Sequence, residues 1–233
     1  MGRSHKKRHK NRLRFLIAYG PTQEPIDPVR FISNRSTGVM GKSLVTAAKS
    51  RGHHVESVEC PKRVQTAREL DRLMWDLLPA ADVLVMAAAV ADVRPARVSG
   101  TKIKKNRLHG VRFVKNPDIL AHLAKRKKRN QVFIGFGLES ENLARNGAEK
   151  MRRKSLELIA LQKVTKKNNP FGKKAIDVCL MDRAGKTAVY RSVAKDKLAG
   201  VLVGRAEEIF ASKNSGSTRP VTRALLTART GHG

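Results

Sequence analysis

Between Gly20 and Gly41 the chain reads GPTQEPIDPVRFISNRSTGVMG, and Arg30, Asn34, Arg35 and Ser36 crowd their donors into one short stretch. Pro21, Pro25 and Pro28 stiffen the segment by fixing φ. Gly20, Gly38 and Gly41 let backbone come close to a ligand. Guanidinium, amide and hydroxyl donors on a stiff loop suit an anionic, phosphorylated small molecule. The loop follows an apolar run, Phe15 to Ala18, and precedes a helical pattern starting near Thr37. It therefore sits at the carboxyl end of a strand, where open α/β sheets bind their ligands.

Further chemistry-bearing segments follow later strands and should meet over the same sheet edge. They are Ala87 to Asp92, Lys102-Ile103-Lys104-Lys105, Asn116-Pro117-Asp118-Ile119 and Gly135-Phe136. No G-x-G-x-x-G or G-x-x-x-x-G-K-[ST] accompanies them, so neither a dinucleotide fingerprint nor a P-loop is present. No His, Cys and carboxylate group has metal-ligand spacing, and there is no nucleophile elbow.

The elements that must position these residues alternate. Arg14 to Tyr19 reads as the first strand, and a helix from about Gly38 to Ser50 places Met40, Leu44, Ala47 and Ala48 on one face. His54 to Cys60 is a second strand. Thr66 and Glu69 form a capping-box pattern, opening a helix with Leu70, Leu73, Met74 and Leu77 in step and Pro79 at its end. Asp82 to Val90, DVLVMAAAV, is continuously apolar, as a central parallel strand must be. Val111 to Val114 is a short flap strand, and Pro117-Asp118 starts a helix. Strands over Gln131–Gly137, Leu156–Leu161 and Ile176–Met181 flank a basic helix over Asn142–Ser155. An edge hairpin around Ala184-Gly185 and a helix from Ala194 to Ser212 complete the run. The expected fold is a doubly wound, mostly parallel, Rossmann-like α/β sheet with a small flap. Residues 1–12 are expected to be a disordered basic arm, 13–212 the α/β domain and 213–233 a flexible tail.

Composition bounds the partners. The 233 residues carry 49 Lys and Arg against 19 Asp and Glu, a net charge of +30, which suits phosphates or non-specific nucleic-acid contact. Aromatic content of 4% argues against a base-stacking platform. No apolar run is long enough to span a membrane, and the basic N-terminus lacks the apolar segment of a secretory signal. Cys60 and Cys179 match no metal spacing and read as reduced core thiols of a cytoplasmic protein.

Five phrases, GPTQEPIDPVRFISNRSTG, AAAVADVRP, KIKK, NPDIL and GFGLES, in this order and at these distances, resemble phosphopantothenoylcysteine synthetase, over about residues 14–200. Each phrase is weak alone; the ordered set is specific. The resemblance implies an amide ligase in coenzyme A biosynthesis. Such an enzyme uses CTP and Mg²⁺ to activate 4′-phosphopantothenate as an acyl-nucleotidyl intermediate, which the cysteine amine then attacks. ATP remains open as the nucleotide, and the sequence names no protein ligand for Mg²⁺. Carried onto this chain, the resemblance makes Lys102 the cation that stabilises the phosphate being attacked, and Asn34 the amide that holds the acyl carbonyl. Arg30 and Ala89, with Gly20 and Ser36, fall to the acyl substrate. Met86, Ala87, Ala88, Asp92, Pro117, Asp118, Ile119, Leu120, Phe136, Lys150 and Lys154 fall, with Lys102, to the nucleotide. Lys150 and Lys154 are four apart and so share a helix face. The family usually forms homodimers in which the flap after Asp92 crosses to the partner.

Taken singly, each of these residues has a plainer role. Asp92 caps a turn, Asn34 shapes one, Phe136 fills core, and the lysines are solvated. Several positions also depart from the family pattern, among them Val39, Gly137-Leu138, Ser140 and Leu161-Gln162-Lys163. The alternative is a non-catalytic, synthetase-like paralogue whose basic surface binds nucleotide or nucleic acid.

Overall fold

The computed structural model describes residues 12–139, 141–165 and 168–215. The expected N-terminal arm, except Arg12, and most of the expected tail lie outside these residues.

Seven strands form the main sheet: β1 (Arg14–Pro21), β4 (His54–Glu59), β5 (Val83–Ala89), β8 (Val132–Glu139), β9 (Leu158–Lys163), β10 (Ile176–Asp182) and β11 (Thr187–Val193). Their order is β11-β10-β9-β8-β5-β1-β4. The run from β4 to β9 is parallel, and β10 and β11 add an antiparallel edge. β1 lies between β4 and β5, so the chain winds outward on one side and then on the other. That reversal opens a crevice at the carboxyl ends of β1 and β5, the topological switch point of a doubly wound sheet.

Burial follows from position in the sheet. β1 and β5 are covered on both faces and are apolar almost throughout, whereas the edge strand β11 shows solvent one side, with Val189 62% exposed. Helices α1 (Val39–Ser50) and α5 (Lys195–Asn214) pack against one face through Leu44, Leu198, Leu202 and Val203. Helices α2 (Ala67–Leu77), α3 (Ile119–Ala124) and α4 (Leu143–Arg153) cover the other through Leu70, Met74, Leu123 and Met151. The capping box forms: Thr66 Oγ1 accepts from Glu69 N at 3.2 Å and Glu69 Oε2 accepts from Thr66 N at 3.0 Å.

The structure adds to the sequence reading in four places that bear on the site. The opening loop contains a hairpin, β2 (Gln23–Pro25) against β3 (Phe31–Ser33). Three-residue strands interrupted by prolines carry no legible alternation. The flap is likewise a two-stranded piece, β6 (Val93–Pro95) against β7 (Phe113–Lys115), rather than a lone strand. α4 ends at Arg153 with Lys154 at its C-cap, and Lys154 N still donates to Lys150 O at 3.0 Å, which keeps the two lysines one turn apart beside the cavity. Finally, Gly20 and Gly41 admit close approach of protein. A Cβ on Gly20, whose φ is +84°, would lie 2.1 Å from the Cys60 carbonyl oxygen, and one on Gly41 would lie 2.0 Å from Tyr19 Cβ.

Candidate active site

The carboxyl ends of β5, β8 and β9 and the segment after β3 enclose a cavity of about 710 Å³, within the range of small-molecule sites. β5 forms its floor with Met86 to Ala89, whose short alanine side chains leave the space open.

The opening hairpin is fixed to the end of β5 by main-chain and hydroxyl contacts. Thr22 N donates to Ala89 O at 3.2 Å, Ala91 N donates to Thr22 Oγ1 at 3.0 Å, and Ser33 Oγ donates to Thr22 O at 2.7 Å. Asn34 follows directly, and its Nδ2 donates to Val90 O at 3.0 Å, holding the carboxamide on the cavity wall. Ser36 lies beside it and accepts from Gly38 N at 3.3 Å. Asn116 anchors the opposite wall: it donates from Nδ2 to Ala91 O at 2.8 Å and from its main-chain N to Asp92 O at 2.9 Å. That pair holds Pro117, Asp118, Ile119 and Leu120 against Asp92.

The charges on this wall are largely balanced. Asp118 Oδ1 accepts from Ala121 N at 3.3 Å as the N-cap of α3 and is paired with Arg153 at 2.9 Å and Lys154 at 3.1 Å. Lys150 pairs with Glu139. Burial raises the Glu139 carboxyl, but hydrogen bonds from Lys150 and Asn146 outweigh it and hold the group below its ordinary value. The cations are thus stored against carboxylates from which an incoming polyanion would draw them. Among the described residues Asp92 is the cavity carboxylate left without a side-chain partner. Phe136, half-buried on β8, supplies an apolar wall opposite the alanines.

The cavity therefore gathers Asn34, Ser36, Met86, Ala87, Ala88, Ala89, Asp92, Pro117, Asp118, Ile119, Leu120, Phe136, Lys150 and Lys154. Gly20, Arg30 and Lys102 do not line it. Gly20 is spent on the Cys60 carbonyl, as above. Arg30 pairs with Asp27 and donates to Ile103 O at 2.7 Å, while Asp27 Oδ2 accepts from Ile103 N at 3.1 Å. The Arg30 guanidinium holds the Asp27 carboxyl far below the usual carboxylate range. Together the two residues clamp the flap at Ile103, and Lys102 next to it is exposed. Asn116, Gln162, Pro170, Phe171 and Lys195 belong to the site but were missed as site residues by the sequence reading. Asn116 stood inside a recognised phrase; Gln162 and Lys195 look like an ordinary strand residue and helix residue, and only the fold brings them together.

Residues 11–209 match the model of the DNA/pantothenate metabolism flavoprotein C-terminal domain. The chain belongs to that family. The "Coenzyme A biosynthesis bifunctional protein CoaBC" of Escherichia coli strain K12 is 37% identical over 174 residues, covering 68% of this chain and 43% of that protein. A "Cysteine/Cysteine sulfinic acid decarboxylase" from an unknown prokaryotic organism is 34% identical over 206 residues, covering 83% of this chain and 57% of its own length. The chain thus spans about half the length of these curated relatives. A crystal structure of the C-terminal domain of CoaBC superposes with a TM-score of 0.70 at 26% identity, covering 86% of this chain and 96% of that one. The match confirms the mostly parallel Rossmann-like sheet.

Proposed function

We propose that this domain is a phosphopantothenate–cysteine ligase that activates 4′-phosphopantothenate with CTP and joins it to L-cysteine. The observation that carries this reading is the joint placement of Asn34, Ala89, Asp92 and the Asn116–Leu120 phrase around one cavity at the switch point.

The chain's own groups divide the work. Asn34, tied to Val90 O, presents a carboxamide at the wall where the acyl group would lie, to hold its carbonyl oxygen as the amine attacks. The Ala87–Ala89 floor admits the acyl chain, and Phe136 and Met86 flank the base. Lys150, Lys154 and Arg153 exchange their carboxylate partners for phosphate oxygens. Lys102 is brought to the phosphates by closure of the flap that Arg30 and Asp27 hold at Ile103.

The described residues contain no group of three or more His, Cys, Asp or Glu able to hold a metal. Asp92 is a cavity carboxylate that could help hold an Mg²⁺ carried in with the triphosphate. Bound in this way, Mg²⁺ would supply charge neutralisation on the phosphates.

A homodimer fits the flap. Phe31 is 51% exposed, Val98 52% and Phe113 46%, on the hairpin and flap. A cytoplasmic location fits the free thiols: burial pushes Cys60 up to about 12 and raises Cys179 as well. Among the described residues no helix is long and apolar enough to cross a membrane. The direct test is pyrophosphate release by the purified chain with CTP, 4′-phosphopantothenate and cysteine; absence of nucleotide binding and of turnover would remove the proposal.

A further inference from the structure

Two cavity-lining side chains stand outside the roles assigned so far. Gln162, near the end of β9, is 6% exposed, and among the described residues its Nε2 has no hydrogen-bond partner. A buried amide donor without a partner is a rarity that folded proteins tolerate at sites completed by something else. Lys195, the first residue of α5, is also 6% exposed. Its ammonium donates to Pro170 O at 2.7 Å and Gly172 O at 2.6 Å, and no carboxylate among the described residues pairs with it. An ammonium offers three hydrogens, so one remains for a ligand. Burial holds the Lys195 pKa below the ordinary lysine value. A buried cation facing neutral carbonyls lacks the counter-charge that buried charges require.

The location narrows what supplies that charge. The turn that Lys195 grips also reaches the opening loop, since Gly172 N donates to Thr37 Oγ1 at 3.2 Å. This corner of the cavity is therefore linked to the segment that carries Asn34. The phosphate-sized cation cluster of the cavity is carried by a different element, α4 and its C-cap, with Lys150, Arg153 and Lys154. One ammonium and one amide N–H lining the same cavity give two donors and a single positive charge, which matches the two oxygens and single negative charge of a carboxylate.

We propose that Gln162 and Lys195 form the subsite for the α-carboxylate of the amine substrate, so that the enzyme selects an α-amino acid over the corresponding simple amine. The proposal rests on the ligase reading. It assigns the pair a binding and specificity role, with the amine of the same molecule directed toward the acyl group at Asn34.

The test compares L-cysteine with cysteamine, which keeps the amine and thiol and lacks the carboxylate. Pyrophosphate release is measured for the wild type and for Lys195→Met, Lys195→Arg, Gln162→Leu and Gln162→Asn. Wild type should prefer cysteine in kcat/KM. The cysteine-to-cysteamine ratio should fall by about 100-fold in Lys195→Met and about tenfold in Gln162→Leu, as expected for losing a charged and a neutral donor. Lys195→Arg should recover part of the preference. A variant that merely loosens the fold would lower both amines together and leave the ratio intact, which would overturn the assignment. A raised KM for 4′-phosphopantothenate with the ratio unchanged would overturn it too, and would make this a phosphate subsite. Should Lys195→Met fail to fold, Gln162→Leu carries the comparison. Wild type that turns over neither amine refutes the ligase reading itself, and the subsite with it. Turnover with intact discrimination in the variants refutes the subsite alone.

Discussion

Arg30 donates to the main-chain oxygen of Ile103 at 2.7 Å, so a residue of the opening loop grips the flap one position past Lys102. Asp27 completes the grip by pairing with Arg30 and accepting from Ile103 N at 3.1 Å. Arg30→Ala should free the flap: tryptic cleavage between residues 97 and 112 should accelerate, and turnover should fall at least tenfold with little change in thermal stability. The carboxyl of Asp27 has a folded pKa depressed below its unfolded value, so its contribution is present above the unfolded pKa and is lost as pH falls through the folded one. The grip should therefore survive mild acid, and a proteolysis rate that rose already between pH 7 and 5 would contradict it.

Asn34 and Lys102 are assigned to different half-reactions and should fail differently. Lys102→Gln should slow pyrophosphate release by about 10²–10³-fold, the usual loss when a transition-state donor is removed. Asn34→Asp should reduce amide formation by a comparable factor, because a carboxylate cannot donate to the acyl oxygen. Quench-flow measurement of the two products separates them; equal loss of both steps in both variants would contradict the division.

On the far side of β8 and β9, Glu157 accepts from Lys127 at 2.6 Å, from Lys213 at 2.6 Å and from Phe133 N at 2.7 Å. The network ties the end of α5 to the sheet. Burial pushes Lys127 down to about 8 against the pull of Glu157. Its folded pKa lies below the unfolded value, so the cost of its buried charge is fully present below pH 8 and lifts as pH rises toward the unfolded pKa. Removing the shared acceptor strands the buried cations, and Glu157→Gln should cost about 3 kcal/mol. Lys127→Met should cost less at pH 7 and flatten the rise in stability above pH 8. Urea melts across about pH 6–10 would show both.

Gly41→Ala should destabilise by about 1–3 kcal/mol through overpacking, because its methyl would meet Tyr19 Cβ at 2.0 Å and push α1 off β1. An unshifted melting temperature would contradict the close approach of helix and strand.

The parts of this architecture that were legible in the sequence are those where one local rule dominates. DVLVMAAAV has to be a doubly covered strand, and Thr66 with Glu69 has to open a helix. The hairpin inside the opening loop was not legible, because it is anchored through Thr22, which Ser33 holds from within the loop and which bonds Ala89 and Ala91 far along the chain. The same holds for Gln162 and Lys195. Each is unremarkable within its own element, and they become neighbours of one cavity only through the path of β9, the turn at Pro170 to Gly172, and α5. At Gly20 the residue type signals close approach without saying what approaches, and the structure shows the Cys60 carbonyl there.

The measurement that bears most directly on the central claim is a pyrophosphate-release assay of the purified protein with 4′-phosphopantothenate, L-cysteine, Mg²⁺ and, in turn, CTP, ATP, GTP and UTP, with products identified by mass. The account predicts CMP, pyrophosphate and 4′-phosphopantothenoyl-L-cysteine in equal amounts, with CTP the preferred nucleotide. Wild-type protein that binds none of the four nucleotides and forms no amide would contradict it.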